Sequence, residues 1–316
     1  MPDTTLLFDG NHLMHRVSHL KELEGLTTRD GTPTGAVMGF LRAIHGSVVR
    51  FEPTRIIVVW DDSHSERRKK LLPAYKVRAE PKTEKDKLEL AERIRKWNIQ
   101  KPLLKELLPK LAIRQLQIPG YEGDDALELL CRDLQGKTII VSEDKDLFQL
   151  VEENISIYRP IRDELVSFDN VSEHMGVVRD GFVFLKAIVG DDSDCIPGVP
   201  GVGPVTASKL LNEAQKMFDG GDWTPRLVKK LAAGALDKRT QKIAEQWEVV
   251  ERNLELVDLR KVEASPEARG MVESVLSTDK SGMAPDLALI REFQRLEMES
   301  ILSMFGTWIV PFRRLT

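Results

Sequence analysis

Apolar residues follow two rhythms along the chain. Short runs rich in β-branched residues come first: Thr4 to Phe8, Ile56 to Trp60, Ala112 to Ile118 and Thr138 to Val141. Each has strand length and polar or turn residues at its ends, as buried strands do. Between them, Val37 to Val49 and Asp124 to Leu134 carry apolar residues at helical spacing. Strand then helix, repeated, predicts an α/β fold with an open, mostly parallel sheet. From about Met175 the strand rhythm stops. Gly181 to Val189, Pro204 to Gln215, Trp223 to Ala232, Arg239 to Glu255 and Leu287 to Met304 read as helices. The expected division is an α/β domain over 1–176 and a helical domain over 177–316. Ala264 to Pro285, rich in Ser, Gly and Pro, reads as a loosely ordered connection.

One stretch breaks the α/β rhythm. Residues 66–114 hold sixteen Lys or Arg against seven Asp or Glu. Leu103, Leu104, Leu107, Leu108 and Leu111 fit one face of a helix. Basic helices inserted between two strands, over about 64–114, are the expectation. A solvated charged helix pair is the plainer account of such a run. The 316 residues carry a formal charge of −4, with 41% hydrophobic and 30% charged residues. That describes a soluble globular chain and excludes a disordered one. No apolar run approaches the roughly 20 residues of a bilayer span. MPDTTLLFDG lacks a basic stretch before an apolar one, and two cysteines cannot staple such a chain. A cytoplasmic monomer, bacterial or in a phage-infected host, is expected.

Acids cluster where the strands end. They are Asp9 in LLFDGN, Asp61 in VVWDD, Glu122, Asp124 and Asp125 in GYEGDDA, Asp144 and Asp146 in SEDKDLF, and Asp191 and Asp194 in VGDDSDCIPG. Open α/β sheets bind ligands beyond the carboxyl ends of their strands. A single Asp there is commonly a helix cap, but five converging groups would repel one another severely unless neutralised. Hard divalent cations do this, and Mg²⁺ prefers carboxylate oxygen and water. Two such ions about 4 Å apart form the arrangement that hydrolyses phosphodiesters. Mn²⁺ is an expected substitute.

Residues 196–206 supply a different signal. Ile-Pro-Gly-Val-Pro-Gly-Val-Gly-Pro is a tight glycine hairpin, followed by a helix whose first turn suits Pro204. Backbone N–H groups around Gly198, Gly201, Val202 and Gly203, with Thr206 and Ser208 beside them, can hold a phosphate without reading a base. Lys209 adds charge one turn on. Exposed carbonyls in the turn could hold K⁺. A connector without a ligand is the plainer alternative.

Together DGN, WDDSHSERRKKLLPAYK, GYEGDDA, SEDKDLFQLV and GDDSDCIPGVPGVGPVTA, in this order, resemble the 5′-nuclease superfamily. That family includes flap endonucleases, phage 5′–3′ exonucleases of the RNase H type, and the 5′-nuclease domain of bacterial DNA polymerase I. The likeness runs from Asp9 to about Leu211 and continues weakly through Ala244 to Leu259. It implies that Asp9, Asp61, Glu122, Asp124, Asp125 and Asp144 serve one metal cluster. Asp146, Asp191 and Asp194 would be shared with, or belong to, the second metal. Lys76 would be the active-site lysine at the base of a helical arch, Tyr75 a stacking platform, and Arg67 or Arg68 a phosphate contact. Arg78 stands two residues after Lys76, where the family commonly has an arginine at three. The glycine hairpin would belong to a helix–three-turn–helix motif.

The resemblance implies a Mg²⁺-dependent 5′ nuclease of DNA replication, acting on branched, flapped or nicked DNA and on RNA–DNA hybrids. A single-strand ribonuclease with a similar acidic sheet and a non-catalytic binder of DNA junctions are the alternatives. The aromatic, basic tail Phe305 to Arg314 is expected to pack back on the helical domain. Docking to a replication partner, such as a single-strand-binding protein or sliding clamp, is its alternative.

Overall fold

Six strands form the central sheet: β1 (Thr4–Asp9), β2 (Arg55–Val59), β3 (Arg114–Leu116), β4 (Lys137–Val141), β5 (Ile155–Arg159) and β6 (Glu164–Val166). Their order is β3-β2-β1-β4-β5-β6, parallel except for β6 against β5. These coordinates are a computed structural model, which describes residues 3–77, 81–217, 224–277 and 282–315. β1 and β4 lie centrally and are apolar on both faces, as strands covered on both sides must be. Strands β5 and β6 are not anticipated by the apolar pattern.

Alternation along each strand divides the core in two. Leu6, Phe8, Ile56, Val58, Ile139 and Val141 face one side, and Leu7, Ile57, Val59 and Ile140 the other. The first side is covered by α1 (Gly10–Val17), α2 (Gly35–Phe51) and, beyond a short α3 (Glu66–Leu71), the C-terminal half of α4 (Glu84–Leu107). Helix α2 turns Val37, Phe40, Leu41, Ile44 and Val48 inward, one apolar stripe of a 3.6-residue period. The second side takes α5 (Gly123–Asp133), the short α6 (Val171–Met175) and α7 (Phe182–Val189). It continues into α8 (Pro204–Met217), α9 (Pro225–Ala233), α10 (Lys238–Glu245), α11 (Trp247–Val257) and α12 (Pro266–Ser277).

The insertion is a long helix that leaves the globule. Thr83 caps α4 by accepting from the Asp86 N–H at 3.1 Å, and residues 84–89 are exposed. Leu104, Leu107, Leu108 and Leu111 are buried at its foot.

Three expectations change. The connection over 264–285 contains α12, which buries Ala268 and Val272. The single helix expected over 239–255 breaks at Gln246 into α10 and α11. The tail does pack back, but not on the helical domain. Helix α13 (Asp286–Arg295) and the turns after it place Phe293, Phe305, Trp308 and Phe312 in the core beside α2. The assignment of 286–315 to the helical domain is therefore corrected. Among the described residues, no helix is long and apolar enough to cross a membrane.

Candidate active site

Strand register brings the acids to one rim of the sheet. Asp9 ends β1 and pairs in register with Val59, two residues before Asp61. Its side chain also caps α1, accepting from the His12 N–H at 3.0 Å. Burial and then the charge of Asp61 push its pKa well above the ordinary value. Asp61 is held from two sides: Asn11 Nδ2 donates to Oδ2 at 2.7 Å and the Gly123 N–H to Oδ1 at 2.6 Å. Burial raises its pKa too. Asp144 follows β4, and its Oδ1 accepts from the Asp146 N–H at 2.9 Å. Burial raises Asp144, and raises Asp146 to about 6 with help from Asp144. Asp194, in the turn after α7, is also pushed to about 6 by burial, against the pull of Lys76.

The acids feel one another's charge. Asp124 acts on Asp9, Asp61, Asp144 and Asp194, and Asp191 acts on Asp146 and Asp194. All nine predicted carboxylates thus share one repulsive field, Asp125 and Glu122 through each other and Asp124, and Lys76 ties Glu122 to Asp194.

Ammonium groups lie between them. Lys76 Nζ is 2.7 Å from Glu122 Oε2 and 3.9 Å from Asp194 Oδ2. Lys186 Nζ is 2.7 Å from Asp146 Oδ1 and pairs with Asp191 as well. Burial would raise Asp191, but Lys186 and Ser193 outweigh it and hold the acid low. Burial likewise opposes the charge on Lys76, yet Asp124, Glu122 and Asp194 more than compensate, so it stays protonated. Among the described residues, no three acid, histidine or cysteine side chains are closed on one point as a filled metal site requires. The donor set is oxygen-only, anionic and partly relieved by lysines. Its chemistry fits hard divalent cations.

Five predicted site residues behave differently, Glu122 and Asp125 of the metal set among them. Arg68, expected at phosphate, is 1% exposed. Its Nη2 meets Asp125 Oδ1 at 2.7 Å, its Nη1 meets Glu122 Oε2 at 3.0 Å, and Nε donates to the Leu256 carbonyl at 2.9 Å. Asp125 is thereby turned to Arg68 and to the Glu122 N–H. Burial, then Asp124, pushes it to about 7. Tyr75, expected to stack on a base, is buried with its hydroxyl donating to Glu122 at 2.8 Å. Glu122 also accepts from the Ser65 N–H at 3.0 Å. Burial would raise Glu122, but Lys76 and Arg68 hold it below its ordinary value. Arg67 Nη1 donates to the Glu255 carbonyl at 2.7 Å, joining α3 to α11. Arg78 lies outside the described residues.

The glycine hairpin is built by close approach. A Cβ on Gly198 would stand 2.0 Å from the Val189 carbonyl, so the returning chain fits only without one. Asn253, wholly buried on α11, donates to the Ala187 and Pro197 carbonyls at 2.8 and 2.9 Å and pins the turn. Gly201 takes a φ of +79°, which opens the turn toward α8. The expectation for Val202 is corrected: its side chain is buried and its N–H donates to the Val199 carbonyl at 3.0 Å. Gly201 and Gly203 are exposed, and their N–H groups donate to nothing within the described residues. Thr206 and Ser208 are half-buried at the start of α8, and Lys209 is exposed.

Comparison with known proteins decides the family. Residues 4–176 match the N-terminal resolvase-like domain of 5′–3′ exonucleases, and residues 178–269 match their C-terminal SAM-fold domain. The chain belongs to the 5′–3′ exonuclease family. It is similar to the thermostable DNA polymerase I of Thermus thermophilus, 32% identical over 311 residues, which are 97% of this chain and 34% of the polymerase. A 5′–3′ exonuclease of Aquifex aeolicus is 34% identical over 213 residues, 66% of this chain and 69% of that protein. The chain thus spans about a third of the polymerase it matches. Among solved structures, the phage T5 5′-exonuclease bound to zinc superposes with a TM-score of 0.64 at 21% identity. It covers 93% of this chain and 99% of that one, and shows a shared fold. In this member of the family, Lys186 and Asn253 had no predicted role, and Asn11 none beyond its place in the DGN motif. A lone lysine in the otherwise apolar helix FVFLKAIV was the signal for the first.

Proposed function

We propose that this exonuclease is a Mg²⁺-dependent, structure-specific 5′ nuclease. Its substrates would be flapped, nicked or branched DNA and the RNA strand of RNA–DNA hybrids, as in removal of primers and flaps during replication. The observation that carries this is the half-buried rim of mutually repelling carboxylates with Lys76 and Lys186 set among them. Asp9, Asp61, Asp124 and Asp144 would hold one ion, and Asp146, Asp191 and Asp194 the other. When bound, such ions supply positive charge at the scissile phosphate and acidify water. Lys76, a quarter exposed, offers a further positive charge to a phosphate at the rim. The projecting α4 and α3 would border the path of a single-stranded 5′ end. The N–H groups of Gly201 and Gly203 and the side chains of Thr206, Ser208 and Lys209 would hold duplex phosphates. The turn's carbonyls are our candidate for K⁺. The T5 flap endonuclease of the same fold, crystallised with DNA and metal ions, supports this reading.

The test is cleavage of a 5′ flap, a nicked duplex, an RNA–DNA hybrid and a single-stranded RNA, each with Mg²⁺ and with chelator. Chelator should stop all cutting, and the flap should be cut faster than the single-stranded RNA. The reverse order would point to a single-strand ribonuclease. Asp144→Asn should lose cleavage while binding the flap in chelator at least as tightly as the parent, because it removes a negative charge beside the phosphate. Weakened flap binding would contradict the assignment.

A stability measurement follows from the acids themselves. Asp146 and Asp194, at about 6, bind protons more tightly folded than unfolded. Without metal, their contribution to stability therefore falls as pH rises from the ordinary carboxylate range through about 6. Mg²⁺ competes with those protons, so its stabilising effect should grow with pH. The Mg²⁺-induced rise in thermal midpoint should be larger at about pH 7.5 than at about pH 5.5. Burial also lowers the pKa of half-buried His12 and His45, which are present with and without Mg²⁺. An effect independent of pH would separate these acids from the metal.

A further inference from the structure

Lys101 lies where the projecting part of α4 meets the globule. The helix is anchored here: Gln100 Oε1 accepts from the buried Ala36 N–H at 2.7 Å, and Leu104 is fully buried. The Lys101 ammonium lies 5.2 Å from the Trp60 ring centroid and 5.8 Å from that of Trp97. Trp60 is itself wholly buried and donates from Nε1 to Gln115 at 2.8 Å.

The contact of Lys101 is Asn11 Oδ1, at 3.1 Å. The same amide donates from Nδ2 to Asp61 at 2.7 Å. An ammonium only donates, so Asn11 must turn its oxygen toward Lys101, which leaves its NH₂ for the carboxylate. We propose that Lys101 is a positioning residue: from the foot of α4 it fixes the Asn11 amide, and Asn11 holds Asp61 toward the metal site. The two feet of the insertion would then each meet the acid rim, Lys76 at Glu122 and Asp194, and Lys101 through Asn11 at Asp61. This rests on the nuclease reading given above.

Charge and orientation predict opposite signs. A lysine acting only as a nearby positive charge weakens cation binding, so its removal would tighten the site. A lysine that orients Asn11 strengthens it, so its removal loosens the site. The direct readout is Mn²⁺ binding to the free protein, followed by electron paramagnetic resonance without substrate. Lys101→Met should weaken Mn²⁺ binding about tenfold, as loss of an outer partner of a ligand does. Lys101→Arg, which keeps a donor, should stay within about threefold of the parent. Asn11→Ala should weaken binding as well. In that background Lys101→Met should add less than about twofold, since both changes break one relay. Flap binding in chelator should stay at the parental level in Lys101→Met. If that variant does not fold, Lys101→Gln takes its place.

Tighter or unchanged Mn²⁺ binding in Lys101→Met overturns the inference, as does a multiplicative loss in the double variant or a parent that binds no Mn²⁺. Loss of flap binding in chelator would make Lys101 a phosphate contact and also overturn it. A parent that binds Mn²⁺ but cuts no flap removes the nuclease reading alone.

Discussion

Replacing Arg68 with alanine should destabilise the protein by about 3–5 kcal/mol, the cost of breaking a buried ion pair from one side. The guanidinium is 1% exposed and is the shared partner of Glu122 and Asp125. It also donates to the Leu256 carbonyl, so α3, α5 and α11 meet on one side chain. Without it, Asp125, already pushed to about 7 by burial, would lose the charge that opposes this push. Arg68→Lys should recover only part of the loss, because a lysine cannot make the forked pair. Urea denaturation of metal-free protein at neutral pH measures this. An arginine whose task was phosphate contact would behave differently: stability would change by under about 0.5 kcal/mol, while DNA affinity would fall. That outcome would return Arg68 to the phosphate role that the motif suggests.

Lys76→Ala should lower single-turnover cleavage of a 5′ flap about 10²-fold, the scale of losing one preorganised charge at a reacting phosphate. Binding of the flap in chelator should change only a few-fold by comparison. Lys76 is placed with unusual firmness. Its backbone has a φ of +53°, a region costly for a residue with a side chain, and its N–H donates to the Asp194 carbonyl at 2.9 Å. The turn after α3 is thereby tied to the turn that carries Asp191 and Asp194. A side chain held this way at the rim is suited to a charge that must be present before the substrate arrives. A Lys76→Ala protein that cuts at the parental rate would remove the role.

Legibility followed burial. The apolar runs at β1, β2 and β4 announce strands, and the acids just beyond them announce the rim, because both depend on local pattern. The common rim of Asp9, Asp61 and Asp144 was legible for the same reason: parallel strands place their carboxyl ends together. Arg68 and Tyr75 were not. Nothing local distinguishes an arginine that reaches solvent from one sunk between two carboxylates, and in ERRKKLLPAYK the basic run argues for a surface. Their burial depends on α11, nearly two hundred residues away in sequence. Val202 misleads similarly, since a glycine-rich turn suggests free N–H groups while one of them closes the turn itself. Strand β6 is only three residues long and antiparallel, so it lacks the repeat that marks the others. The position of α13 was hidden because an amphipathic helix shows that it has a core-facing side, not which core that side enters.

The seating of residues 286–315 against α2 bears on how the chain matures. Trp308 stacks on His45 with ring centres 5.2 Å apart, and Phe312 lies beside them. One flank of the sheet domain is therefore finished by a segment more than two hundred residues later in sequence. During translation that flank emerges before residues 286–315 and stays an adhesive surface until they arrive. A fragment cut after residue 176 would keep every strand of the sheet yet carry a lasting unclad face, and should associate with itself where the full chain does not.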